Sequence, residues 1–112
     1  DPAFVRRFNV RMKFERPPLD DLEETIKRFM HKAFTLEMDM PEDIKEIVLW
    51  HARNYTQLSY DEIETWVERA EKKAIMRDEE VISEKEIYDY FMDSLRVTLQ
   101  WDKDGKPYLY RI

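Results

Sequence analysis

The sequence predicts a mainly α fold: a four-helix bundle preceded by a short β-strand and followed by a C-terminal β-hairpin. Three observations carry that prediction. Between Asp20 and Met92, four segments repeat apolar residues at three- and four-residue spacing. Two of those segments open with Ser followed three residues later by Glu, a helix-start signature. The last 18 residues change to a period of two around Asp104-Gly105.

Taken in order, residues 10 to 14 (Val-Arg-Met-Lys-Phe) alternate apolar and polar as a half-buried strand does, and Pro17-Pro18 stops them. Helix one follows, with Asp20 as N-cap, Glu23 at the capping-box position, and Leu22, Ile26, Phe29, Met30 and Ala33 on its stripe. Thr35 to Asp39 reads as a connection. Pro41 suits the first turn of helix two, whose stripe is Ile44, Ile47, Val48 and Ala52 and which ends near Asn54. Ser59 and Glu62, with Leu58 and Ile63 as a hydrophobic staple, open helix three, which buries Ile63, Trp66, Val67, Ala70 and Ala74. Ser83 and Glu86, stapled by Ile82 and Ile87, open helix four through Tyr88, Phe91 and Met92. A two-residue type I′ turn at Asp104-Gly105 pairs Trp101 with Tyr108, Leu99 with Tyr110 and Val97 with Ile112, all on one packed face. That register sets Pro107 opposite Asp102, where its missing N–H blunts the outer edge.

Composition narrows the function. At 112 residues the chain is one domain's worth, and 43% hydrophobic with 13% aromatic residues is enough for a packed core beneath a surface fed by 39% charge. No apolar run approaches the roughly 20 residues of a membrane-spanning helix. Without cysteine there is neither a disulfide nor a thiolate metal site, and the cytoplasm is the expected compartment. The single glycine excludes a glycine-built phosphate loop, so no nucleotide is expected to bind this piece alone. Net charge is -6, yet residues 1 to 16 hold a local +3 and residues 95 to 112 a local +2, leaving -11 in the helical middle. An acidic body disfavours nucleic acid and anionic membrane as partners. His31 and His51 fall on different helices and read as structural, Trp50 and Trp66 as helix-packing residues, and Met30, Met38 and Met40 as core fillers. The opening Asp1-Pro2-Ala3, rather than Met, leads us to expect a piece of a longer chain.

Arg6 and Arg7 are the residues best suited to chemistry, because guanidinium groups stay charged and grip phosphate oxygens bidentately. Their setting, Asp1-Pro2-Ala3-Phe4-Val5-Arg6-Arg7-Phe8-Asn9 before a strand and a proline, resembles the end of the second region of homology in AAA+ ATPases. Arg6 and Arg7 fall on the arginine-finger positions of that pattern. Arg11 falls on a further basic position of the severing and membrane-remodelling branch, whose members also lack a Pro-Gly here. Thr56 to Glu64, continuing through Glu68-Arg69-Ala70 to Ala74-Ile75, is similar to the family's lid helix. Val81 to Ile87 is similar to the segment opening the final lid helix. The resemblance covers roughly residues 1 to 94, in the family's order.

The resemblance implies a division into an arginine-finger turn with the last core strand (1–16) and a helical lid (17–94), and the hairpin (95–112) is an extension outside the usual lid pattern. It implies arginine fingers Arg6 and Arg7 acting in trans on ATP bound with Mg by the neighbouring subunit of a homo-oligomeric, hexamer-type ring that works on a protein or other macromolecule. Ser59, Tyr60 and Asp61 become the nucleotide-proximal positions, with Tyr60-Asp61 standing where family lids carry Gly-Ala. Phosphate-loop, Walker B and sensor-1 segments would precede residue 1. Two other readings are a winged-helix nucleic-acid binder, with helices three and four plus the hairpin as wing, and a helical protein-interaction adaptor.

Overall fold

The computed structural model describes residues 18–112. The strand expected at residues 10 to 14, like Arg6 and Arg7, lies outside them. Four helices account for most of the described chain, as expected, with four short strands between and after them.

A 3-10 turn at Pro18–Asp21 precedes helix α1, Leu22–Phe29. The turn takes up Asp20, so the cap falls one residue later than expected: the Asp21 carboxylate accepts the Glu24 N–H at 3.2 Å. Thr25, buried, donates its hydroxyl to the Asp21 carbonyl at 2.9 Å. Helix α1 is also shorter than its stripe suggests, because Met30 is extended and leaves Ala33 beyond the helix. The chain then enters β1, Thr35–Glu37, where a plain connection was expected. Its partner is β2, Val81–Ser83, in parallel register Thr35↔Val81, Leu36↔Ile82 and Glu37↔Ser83. Leu36 and Ile82 supply the inward side of this miniature sheet, Ile82 almost wholly buried.

Pro41 caps helix α2, Glu42–Tyr55, and Ser59 caps helix α3, Tyr60–Met76. Helix α4, Glu84–Leu95, follows β2 without a break. The core lies where the stripes meet: Leu22 and Ile26 of α1, Ile44, Val48 and Ala52 of α2, Ile63, Trp66, Val67, Ala70 and Ala74 of α3, and Ile87, Tyr88, Phe91 and Met92 of α4. The Trp66 and Phe91 rings approach to 5.3 Å between centroids, tying α3 to α4. Arg96 adopts the left-handed conformation (φ 58°) and swings the chain out of α4 into the hairpin.

The hairpin is formed by β3, Val97–Trp101, and β4, Pro107–Arg111. Its register is one residue away from the expected one: Val97↔Arg111, Leu99↔Leu109, Trp101↔Pro107, with Thr98↔Tyr110 and Gln100↔Tyr108 between them. The cause is the Asp102 side chain, which accepts from the Asp104 N–H at 2.8 Å and the Lys106 N–H at 2.9 Å. These bonds select a three-residue loop with only Gly105 at positive φ (79°), instead of the type I′ turn that needs two such residues. A one-residue shift moves a whole strand's side chains to the other face. Leu109 therefore packs on the core with Val97 and Leu99, while Tyr108 and Tyr110 are exposed.

Candidate functional site

The three candidate positions within the described residues, Ser59, Tyr60 and Asp61, form the start of α3. Ser59 is extended, so its hydroxyl turns back over the helix and accepts the Glu62 N–H at 3.3 Å. The Glu62 carboxylate in return accepts the Ser59 N–H at 3.2 Å, completing the expected capping box. Tyr60 stands edge-on to Phe29, ring centroids 6.4 Å apart, which joins the end of α1 to the start of α3. Thr65 donates its hydroxyl to the Asp61 carbonyl at 2.9 Å. Asp61 and Glu62 are exposed in this first turn, where carboxylates complement the helix dipole. The result is a doubly capped, acid-tipped helix end, poorly suited to holding phosphate itself.

A second polar centre sits at the start of α4. The Ser83-Glu86 capping box expected there does not form; Ser83 donates its hydroxyl to the Asp39 carboxylate. The other oxygen of Asp39 accepts the Lys85 N–H at 2.9 Å. Glu86 instead pairs with Lys73 at 3.5 Å and accepts the Tyr90 hydroxyl at 3.1 Å. Burial pushes the Asp39 carboxyl up, but the bonds from Ser83 and Lys85 outweigh it and hold it below the usual aspartate value. Beside it Glu84, only 1% exposed, accepts the Met40 N–H at 3.3 Å and meets the Lys45 ammonium at 2.9 Å. Desolvation disfavours the Lys45 charge, yet Glu84 and then Glu42 more than compensate and raise its pKa. Burial, followed by the charge of Glu84, raises the Tyr88 hydroxyl. The bonds made by Asp39 and Glu84 clamp the β1–α2 connection to α4. Their signal was present in the sequence: Lys45 is at i, i+3, i+7 spacing with Val48 and Ala52, and Glu84 is likewise in line with Ile87, Tyr88 and Phe91.

The remaining expectations divide. His51 is half-buried against Tyr55, 4.8 Å between ring centroids, whereas His31 is exposed and accepts the Ala33 N–H at 3.1 Å. Trp66 is core, but Trp50 is 60% exposed, so its helix-packing assignment fails; α2 turns it outward beside Tyr55. Met40 is buried as a core filler, and Met38 is exposed. No cluster of three or more His, Cys, Asp or Glu suited to a metal occurs among the described residues. No helix there is long and apolar enough to cross a membrane. A groove of about 650 Å³ runs between the start of α2, the outer side of α4 and β3, lined by Met40, Ile44, Asp89, Met92, Asp93 and Leu99 among others.

Compared with family models, curated proteins and solved structures, the chain returns no match.

Proposed function

We propose that the chain is the helical lid of an AAA+ ATPase, with the arginine-finger turn ahead of it, and that it couples ATP binding and hydrolysis to subunit motion in a cytoplasmic homo-oligomeric ring. One observation carries the reading: the family-like segments occur in the family's order, and the two inside the described residues, Thr56 to Glu64 and Val81 to Ile87, each open a helix of one bundle. The packing is compatible with rigid-body motion. Trp66 against Phe91, and Tyr60 against Phe29, tie helices together so that the bundle moves as a unit.

In this reading Arg6 and Arg7 reach the ATP and Mg held by the neighbouring subunit and neutralise charge growing on the γ-phosphate. Such fingers contribute ~10³–10⁵ in rate in other phosphoryl-transfer enzymes. The winged-helix alternative suits the order α3, α4, hairpin, but the solvent side of α4 carries Glu86, Asp89 and Asp93 against one Lys85, a poor surface for a phosphate backbone. The adaptor alternative draws on the exposed Trp50-Tyr55 pair. The test is made in the parent ring: Arg6→Ala or Arg7→Ala is expected to suppress ATP turnover while leaving ATP binding largely intact. Unchanged turnover in both variants would remove the finger assignment.

A further inference from the structure

The groove beside α4 has a strand edge for one wall. Val97, Thr98, Leu99 and Trp101 all line it. Successive side chains of a strand point to opposite faces, so three consecutive residues on one wall mean that the edge of β3 forms it. The ladder agrees. Asp102 donates its N–H to the Lys106 carbonyl at 2.9 Å and Ile112 donates to Arg96 at 2.9 Å, which makes Thr98/Tyr110 and Gln100/Tyr108 the hydrogen-bonded pairs. The N–H and C=O groups of Val97, Leu99 and Trp101 therefore point away from β4, towards the groove, and make no backbone hydrogen bond to another element among the described residues. The opposite edge is different: Pro107 has no N–H to offer there.

The remaining walls are predominantly acidic over an apolar floor. Met40, Ile44 and Met92 form the floor, and the rim holds Asp39, Asp89 and Asp93 against a single Lys85. Asp39 is engaged at the start of α4. Asp89 and Asp93 are four apart on α4, a repulsive spacing, and no cation lies within ion-pair distance of either among the described residues. Burial, and the neighbouring Asp93, Glu86 and Asp39, raise the Asp89 carboxyl against the pull of Lys85.

We propose that this groove takes an extended, basic peptide segment of a partner protein as a third strand on β3. Main-chain bonds form to Val97, Leu99 and Trp101, an apolar side chain rests over Met40, Ile44 and Met92, and Lys or Arg meets Asp89 and Asp93. Charge selects a basic strand over an acidic one. A second copy docking by its own β3 edge would bring the same carboxylates together, and a nucleic acid would add phosphates to them. The inference stands apart from the ATPase reading, since it uses only the groove, the strand edge and the two free carboxylates.

The test titrates the 112-residue chain into fluorescein-labelled peptides of about six residues, the usual strand length, and follows anisotropy. A Val/Lys alternating peptide is expected to bind. The matching Val/Glu peptide, and a Val/Lys peptide N-methylated along its pairing edge, are expected not to. The double variant Asp89→Asn, Asp93→Asn is expected to fold at least as stably, since it relieves a repulsion, and to bind about tenfold more weakly. Failure of the Val/Lys peptide to bind would overturn the proposal, as would equal binding of the Glu or N-methylated peptide or unchanged affinity in the double variant. A dimer in sedimentation that the Val/Lys peptide does not dissociate would assign the edge to a second copy and overturn it equally.

Discussion

Helices α3 and α4 open with the same local signature, Ser-x-x-Glu behind a hydrophobic residue, yet they are capped differently. At α3 the cap is closed within four residues, Ser59 and Glu62 serving each other. At α4 a carboxylate from 44 residues earlier, Asp39, takes the Ser83 hydroxyl and the Lys85 N–H, and Glu86 is drawn off to Lys73 and Tyr90. The difference lies in the surroundings. Ser59 follows a coil segment, and no carboxylate from another element competes for it among the described residues, while Ser83 ends a strand whose parallel partner delivers Asp39 and Met40 to the same spot. A local motif holds where tertiary structure leaves it alone, and yields where a pre-positioned charged acceptor is available.

The strongest way to break this contrast is at the tertiary cap's base. Lys45→Met leaves the buried Glu84 carboxyl without its partner, and is expected to cost about 3–5 kcal/mol, read as a lower urea midpoint at unchanged slope. Replacing the pair together, Lys45→Met with Glu84→Leu, should recover only part of that loss, because the Met40 N–H is then left without its acceptor. Asp39→Ala should cost about 1–2 kcal/mol, at the upper end for a cap, because two donors lose one acceptor. Ser59→Ala should cost about 1 kcal/mol, and Ser83→Ala less than Ser59→Ala, since Asp39 still receives the Lys85 N–H. Equal losses at the two serines would mean that the caps are equivalent after all.

Titration sharpens the same contrast. The Asp39 carboxyl lies below its ordinary value of 3.8 in the folded chain, so its contribution is complete above that value and falls away as pH drops through the folded-state pKa. Asp39→Asn should remove that part of the acid sensitivity in urea melts. Lys45 runs the other way: raised above 10.5, it contributes fully below that pH and loses its contribution as pH rises through the folded-state value.

What the sequence revealed follows from the range of the interactions. The stripes and the Ser59 cap are local and were legible. The Asp21 cap was misplaced by one residue because two adjacent aspartates compete and the 3-10 turn decides between them. Strands β1 and β2 are three residues each and meet across 46 positions, too short for any period to announce them. The hairpin was legible but not its register, which rests on one side chain, Asp102. Of the candidate site, Ser59, Tyr60 and Asp61 cluster because they are consecutive, and Arg6 and Arg7 lie outside the described residues. The Lys45-Glu84 pair was passed over because charged residues on a stripe read as surface until their partners are known.

The central functional claim is that Arg6 and Arg7 act on a neighbour's nucleotide, and subunit mixing tests it most directly. A parent variant lacking both arginines is combined with one whose phosphate loop cannot bind ATP, and turnover of the mixture is compared with that of each alone. Action in trans predicts that the mixture regains turnover, because binding-dead subunits lend intact arginines to competent sites. Turnover no higher than the sum of the separate variants, in rings verified to contain both, would contradict it.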